Sequence, residues 1–408
     1  MRRQAVGQVV AAVSLVTIAA LTLYPAPGTA TAGWRCVVCG TRGTADLLLN
    51  VLLFAPLGAG LALAGVRHRN AFVIAAFVSG GIELAQVFIP GRDASLGDLI
   101  ANCAGCGLGF LLLATARLWL HPTESLARRL ALGAALATAA VILLTGAMLQ
   151  PQFTDSTYYG QWTPRLRHLE RYRGTVLEAT VGNLPLPSGR VASTSTIVGL
   201  LRRGSPIHVQ AVAGPPTDRV SALFSIADAD RNMIVLFGPR GNDLYYTFRM
   251  RAESFRLDRP TLIARDAMAV AVGDTIGITA WREGPGYCVA VDEDRECNMG
   301  FTVGSGWALL QYAERSPPWM QSCLDVIWMC LLLLPFGYWV RPGTHSAVGG
   351  LILVAALLLV PVATGLLATP VWEWAGAVVG MTLGYSVRML VSHMHAPGQV
   401  VQLRGASC

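Results

Sequence analysis

What most limits this chain is the recurrence of apolar runs about as long as a bilayer is thick. A helix needs about 20 predominantly apolar residues to cross the hydrocarbon core. Such runs lie near Ala5–Leu23, Leu47–Val66, Ala71–Ile89, Leu96–Leu120, Leu130–Leu149, Cys323–Val340, Ala347–Ala368 and Val371–Leu390. In lipid every backbone N–H and C=O must be satisfied within the span, which leaves helices as the folding solution for runs of this kind. The predicted fold is mixed: a polytopic α-helical membrane bundle of about eight spans, interrupted by one long segment of different texture. Charge agrees, since 13% of the residues are charged against about 25% in soluble domains. The first run follows Arg2-Arg3 and precedes Ala30-Thr31-Ala32, as in a cleaved secretory signal. Its apolar stretch is longer than the roughly 7–15 residues of a signal core, so it reads as a retained span.

Arginine placement near the span ends sets orientation. With the N-terminus inside, the cytoplasmic segments hold Arg2, Arg3, Arg67, Arg69, Arg117, Arg128, Arg129, Arg341, Arg388 and Arg404, whereas the short outer loops hold Arg35, Arg42 and Arg92. Both termini are therefore expected in the cytoplasm, with the segment from about Gln150 to Trp319 outside. The net charge of +7 is no nucleic-acid signal: all 31 basic residues are Arg, scattered without the one-faced cluster that phosphate backbones require. Avoidance of Lys beside abundant Ala and Gly points to the coding bias of a GC-rich bacterium, and so to a bacterial cytoplasmic membrane.

The outer segment reads as short strands separated by turns. Candidates are Val176–Val181, Ile207–Ala213, Ala222–Ala227, Met233–Gly238, Leu244–Met250, Thr275–Trp281, Tyr287–Val291 and Trp307–Tyr312, punctuated by Gly214-Pro215-Pro216, Gly241-Asn242-Asp243 and Gly284-Pro285-Gly286. Many short strands at this spacing predict an antiparallel sandwich whose first and last strands pair. A four-residue loop, Val291–Asp294, places Cys288 opposite Cys297 on a hairpin, so a disulfide is expected there. Asp228, Asp230 and Asn232 have the opening spacing of a calcium loop but lack its turn Gly and closing Glu, and read as a polar turn. The stretch Ser221–Met250 and the late strand Tyr287–Asp292 resemble the concanavalin-like (laminin-G-like) jelly roll, although Glu293 stands where that family usually has Gly. The resemblance implies glycan binding, with Trp162, Trp281, Tyr287 and Trp307 as stacking candidates. Aromatic side chains dominate cores, and filling the sandwich core or its rim is the favoured reading of these four.

Polar residues at the ends of apolar spans carry the functional signal. Asp46 and Asn50 are four apart and share a helix face, Glu83 and Gln86 are three apart, Arg92 and Asp93 follow in a short loop, and Asp98 and Asn102 are again four apart. Under the orientation above, these groups approach the outer surface from three helices. Ionisable groups in spans are costly and tend to mark function. Arg92 is expected either to pair with Glu83 or Asp98, or to offer its planar fork to an anionic head group. No nucleophile–base pair, cofactor motif or metal cluster accompanies them, so binding is favoured over catalysis.

Asp46, Asn50, Phe54-Ala55-Pro56-Leu57-Gly58, Glu83, Gln86, Pro90-Gly91-Arg92, Ser95, Asp98, Asn102 and Gly105 to Gly109 together resemble the VanZ-like family. The resemblance covers residues 46–109 and implies a bacterial membrane protein associated with glycopeptide (teicoplanin) resistance. Within it, Gly105 and Gly109 have helix-packing spacing, and Cys103 and Cys106 read as small apolar residues. Cys36 and Cys39 lie outside the membrane, as a short-loop disulfide, as free thiols or, with no His nearby, less readily as metal ligands.

The last spans echo the first. Asp325 precedes Pro335 and Gly337 as Asp46 precedes Pro56 and Gly58, and Glu373 precedes Gly380 and Gly384 as Asp98 precedes Gly105 and Gly109. Met329 and Ala377 replace Asn50 and Asn102. The echo is either a parallel repeat or the ordinary recurrence of such motifs in spans. The predicted organisation is an N-terminal bundle over 1–149, a sandwich over 150–319, C-terminal spans over 320–390 and a cytoplasmic tail over 391–408. The predicted role is binding of an envelope glycan or a lipid-linked head group at the outer face. The alternatives are an enzyme or transporter acting on lipid-linked envelope precursors, and an anchor without a small ligand.

Overall fold

The apolar runs fold as helices, described here from a computed structural model over residues 2–25, 35–92, 94–166, 169–312 and 316–394. Ala30-Thr31-Ala32, Asp93, His395 and Arg404 lie outside the described residues. The helices are α1 (Arg2–Thr22), α2 (Gly43–Leu63), α3 (His68–Gln86), α4 (Leu96–Ala114), α5 (Ala116–Leu120) and α6 (Glu124–Met148), then the short α7 (Thr194–Arg202) and α8 (Arg251–Ser254), and finally α9 (Pro318–Trp339), α10 (Thr344–Thr364) and α11 (Val371–Met394). Among the described residues seven helices are long and apolar enough to cross a membrane, and α3 is not one of them. Its 19 residues begin His68-Arg69-Asn70 and include Ser79, Glu83 and Gln86, which lowers its hydropathy despite helical packing against α4. The run Leu96–Leu120 also divides. The Thr115 hydroxyl donates to the carbonyl of Leu111 at 2.8 Å, a local bond of the kind that competes with helix continuation.

Glycines set the two closest helix pairs. A Cβ on Gly58 would lie 1.8 Å from the carbonyl oxygen of Cys106, one on Gly105 2.3 Å from that of Val51, and one on Gly109 1.8 Å from that of Ala55. The backbones of α2 and α4 thus touch where only glycine fits. The pair α9 and α11 repeats this contact by contact. Gly337 meets Met381, Gly380 meets Cys330 and Gly384 meets Leu334, at 2.1, 2.2 and 2.2 Å on the same construction. Asp46 and Asp325 stand at the same sequence offset from these contacts, as do Asp98 and Glu373. The parallel echo in the sequence is therefore a packing repeat. It is confined to these pairs, since α3 packs on α4 whereas α10 packs on α6.

The segment between α6 and α9 forms two antiparallel sheets of six strands. One runs, in spatial order, Leu262–Ala264, Asp243–Phe248, Met233–Arg240, Phe224–Asp228, Tyr158–Trp162 and Gly189–Arg190; the other runs Asp294–Met299, Gly286–Val291, Thr275–Glu283, Ile207–Val212, Thr175–Val181 and Leu184–Pro185. Phe224, Phe237, Tyr246 and Phe248 of the first sheet are buried with Val209, Ile278 and Val289 of the second, and the ring of Tyr287 stacks on Phe248 at 4.7 Å. This is a β-sandwich. Two expectations need correction. The first strand, Tyr158–Trp162, lies inside one sheet, while Asp294–Met299 is an edge of the other, so they do not pair. The span Trp307–Tyr312 is not a strand: Val303–Leu309 is a 3-10 helix with a capping box between Thr302 and Ser305. It returns the chain to the bundle by packing against α6 and α9. Disulfides join Cys288 to Cys297, with Cα atoms 4.1 Å apart, and Cys36 to Cys39.

The sandwich rests on the N-terminal end of α2. Arg42 pairs with Asp258 at 3.1 Å, the Thr44 N–H donates to the carbonyl of Arg256 at 3.1 Å, and Arg256 donates to the carbonyl of Val38. At the other end of the helices Tyr338 donates to the carbonyl of Leu120 at 2.8 Å and Arg388 to that of Val340 at 2.6 Å. There Arg341 is half-buried beside Arg388, and burial together with the neighbouring positive charge lowers its affinity for a proton.

Candidate functional site

Where α2, α3 and α4 end beneath the sandwich, their polar residues are tied to one another. Ser95 caps α4: its hydroxyl accepts the Asp98 N–H at 3.0 Å, which is the usual N-cap bond. The Ser95 N–H in turn donates to Glu83 at 2.7 Å. Asn50 on α2 donates its amide to Asp98 at 2.7 Å, Asn102 donates to the Ser79 hydroxyl at 2.9 Å, and Gln86 donates to the carbonyl of Thr22 at 3.1 Å. Asp46 is exposed at the mouth, and its carboxylate accepts no hydrogen bond among the described residues. Apart from Ser79, these residues line one cavity of about 1010 Å³ together with Arg92.

Arg92 does something the sequence did not indicate. Its Nε and Nη2 donate to the carbonyls of Tyr24 and Leu21, at 3.0 and 2.8 Å. The last carbonyls of a helix lack intrahelical donors, and Arg92 supplies them to the end of α1. Among the described residues no ion pair joins it to Glu83 or Asp98. Part of the donor inventory of the wall is committed: Asn50, Gln86 and Asn102 each donate one amide N–H and Arg92 donates two of its five N–H groups, while the buried Arg42 Nε has no partner among the described residues. Acceptors remain. The side-chain oxygens of Gln86 and Asn102 are buried with no partner among the described residues, and three carboxylates share the cavity. Arg42, at its rim, is paired with Asp258 and also bonds Gln311 at 3.0 Å. Gly40, Thr41 and Arg42 border a second cavity of about 1170 Å³, bounded on its far side by Gln161, Ser225 and Asn232 of the sandwich.

The four aromatic candidates lie elsewhere, and two are corrected. Tyr287 is a core residue, only 8% exposed, and burial pushes its phenol up to about 12. Both faces of this strand near Tyr287 are covered. Trp307 belongs to the 3-10 helix and donates its indole N–H to Asp325 at 2.7 Å. Trp162 is half-buried and donates to the carbonyl of Leu186 at 3.2 Å, and half-buried Trp281 carries the Arg295 guanidinium over its ring at 4.8 Å. Asp228 closes a polar turn, accepting from the backbone and side chain of Asn232 at 2.8 and 2.9 Å. Glu283 adjoins Cys288 and Cys297, whose sulfurs are bonded to each other and are not thiolate ligands.

A second polar cluster escaped sequence reasoning. In the C-terminal half, Glu373 is fully buried and accepts from the hydroxyl of Thr302 and, at 3.0 Å, from the Gly304 N–H. Asp325 accepts from Trp307. The carboxylates equivalent to Asp46 and Asp98 are therefore occupied by the chain's own 3-10 helix. The echo of Asp325 and Glu373 in the sequence was the available signal, but nothing local shows which segment meets them.

Residues 3–118 match the model of the VanZ/LLP1 family, a span running from α1 into α5 and containing Asp46, Asn50, Glu83, Gln86, Arg92, Asp98 and Asn102. No curated protein and no solved structure matches the chain.

Proposed function

We propose that the VanZ-like domain of this chain binds the head group of a lipid-linked envelope component, or an envelope glycan, in the cavity beneath the sandwich. The observation that carries this reading is the cavity itself: about 1010 Å³ at the ends of apolar helices, lined by three carboxylates and by Gln86 and Asn102, whose buried side-chain oxygens have no partner among the described residues. An unsatisfied buried acceptor costs about 1–3 kcal/mol, a loss that a donor-bearing ligand removes. Helix ends lie at head-group depth, where a lipid-linked molecule presents its polar part. The adjoining cavity of about 1170 Å³ under the sandwich gives room for a glycan attached to such a head group. The association of VanZ-like domains with glycopeptide resistance supports an envelope ligand. Native mass spectrometry of detergent-purified protein is expected to show a retained lipid or glycan, and Gln86→Leu with Asn102→Leu is expected to lower its occupancy about tenfold or more. A wild-type protein that carries neither, or a double variant that retains them equally, overturns the proposal.

The same reading places the sandwich outside the cytoplasmic membrane. In a background lacking Cys323, Cys330 and Cys408, a cysteine at exposed Asn242 is expected to react with an impermeant thiol reagent on intact cells. One replacing Arg67 is expected to react after permeabilisation alone. The reverse pattern ends this topology.

A further inference from the structure

We infer that the group entering the N-terminal cavity carries a primary ammonium, held by Asp46, Glu83 and Asp98. This rests on the reading that the cavity binds an envelope head group, and it adds the chemistry of that group. The first ground is the packing repeat. Because Gly58, Gly105 and Gly109 contact α2 and α4 as Gly337, Gly380 and Gly384 contact α9 and α11, the carboxylates of the two halves occupy equivalent positions. In the C-terminal half those carboxylates meet an indole N–H, a backbone N–H and a hydroxyl. The occupant there is a cluster of donors, and no phosphate-like acceptor is among its contacts. Among the described residues no segment like the 3-10 helix donates to Asp46 or Asp98: Cys36 and Val37 lie against Gly97 at the start of α4, and the cavity opens beside the two carboxylates.

The second ground is charge and hydrogen-bond capacity in the open site. Asp46, Glu83 and Asp98 face Arg92 and Arg42, but Arg42 already pairs with Asp258 and Arg92 already serves two carbonyls of α1. The amide oxygens of Gln86, 7% exposed, and Asn102, 2% exposed, add unpartnered acceptors in the wall. A phosphate would add negative charge beside three carboxylates, which already outnumber the two guanidinium groups, and further acceptors beside the amide oxygens. An ammonium brings three donors and one positive charge. Its source is either a lipid head group or the amine of a sugar, and the same chemistry serves both.

The test uses the full chain, delipidated in detergent and offered phosphatidylethanolamine, phosphatidylglycerol or glucosamine. Native mass spectrometry reads lipid occupancy, and thermal unfolding reads the soluble amine. Retention of phosphatidylethanolamine about tenfold above phosphatidylglycerol is expected if the source is lipid; a stabilising shift with glucosamine, absent with N-acetylglucosamine, is expected if it is a sugar. Either supports the assignment. Glu83→Gln, Asp98→Asn and the rim substitution Asp46→Asn, tested separately so that one misfolded variant does not decide the matter, should each lower that binding about tenfold. Preference for phosphatidylglycerol, lost in Arg92→Ala, overturns the ammonium assignment and leaves the head-group reading intact. Failure of every ligand to bind overturns both.

Discussion

Gly109→Leu is expected to prevent the N-terminal bundle from assembling, and Gly384→Leu to do the same to the C-terminal pair. A Cβ at Gly109 would stand 1.8 Å from the carbonyl oxygen of Ala55, and one at Gly384 2.2 Å from that of Leu334. Overpacking a core costs about 1–3 kcal/mol when neighbouring side chains can shift. Here the obstacle is main chain on a facing helix, so the helices themselves must separate and the loss should exceed that range. The separation also pulls apart Asn50 and Asp98, whose 2.7 Å bond ties α2 to α4. Size-exclusion chromatography and thermal unfolding in detergent are the measurements: neither variant should give a monodisperse peak. Gly107→Leu is the control. It lies on the same helix two residues away, is exposed, and a Cβ there meets nothing within 4 Å, so it should behave as the natural protein. A stable, monodisperse Gly109→Leu protein would show that α2 and α4 do not touch as described.

The contrast between Gly107 and Gly109 also shows what the sequence could convey. Spacing alone marked Gly105 and Gly109 as packing residues, and it marked Asp46, Asn50, Glu83, Gln86, Asp98 and Asn102, because polar residues three or four apart in an apolar run can only share a helix face. These features are local, and a sequence states them directly. Arg92 was legible as a residue but not as a contact. Its partners are carbonyls at the end of α1, and a backbone acceptor leaves no mark on side-chain identity. Misreading Trp307–Tyr312 as a strand has the same origin. Its apolar composition suits a strand, but its conformation follows from Asp325 and Glu373, which belong to helices that come later in the chain. Tyr287 illustrates a third limit: alternation predicts which residues share a face of a strand, and it does not say that both faces are covered. The sandwich as a class was readable from strand number and turns. Its strand order was not, because Tyr158–Trp162 pairs with Phe224–Asp228 across a separation that no turn signal spans.

Glu373→Ala is expected to cost about 3–5 kcal/mol and to release the 3-10 helix from the bundle. The side chain is fully buried, and its removal strands two donors, the Thr302 hydroxyl and the Gly304 N–H. Each stranded buried donor costs about 1–3 kcal/mol, and the void left by the side chain adds a cavity cost of its own. Glu373→Gln keeps one acceptor oxygen in place and should lose less than half as much. Thermal unfolding reads the stability, and hydrogen exchange at the Gly304 N–H reads the release. Asp98 occupies the equivalent position in the first half, yet Asp98→Ala should be much milder. It is half-buried beside an open cavity, so Asn50, the side-chain donor it leaves behind, can turn to water. The two positions thus differ in surroundings: at Glu373 the carboxylate holds the protein's own donors, and at Asp98 it stands beside an open cavity. Equal losses for the two alanine variants, with no faster exchange at Gly304, would mean that the 3-10 helix is not a fixed occupant of the C-terminal site. The comparison that assigns an ammonium to the N-terminal cavity would then lose its first ground.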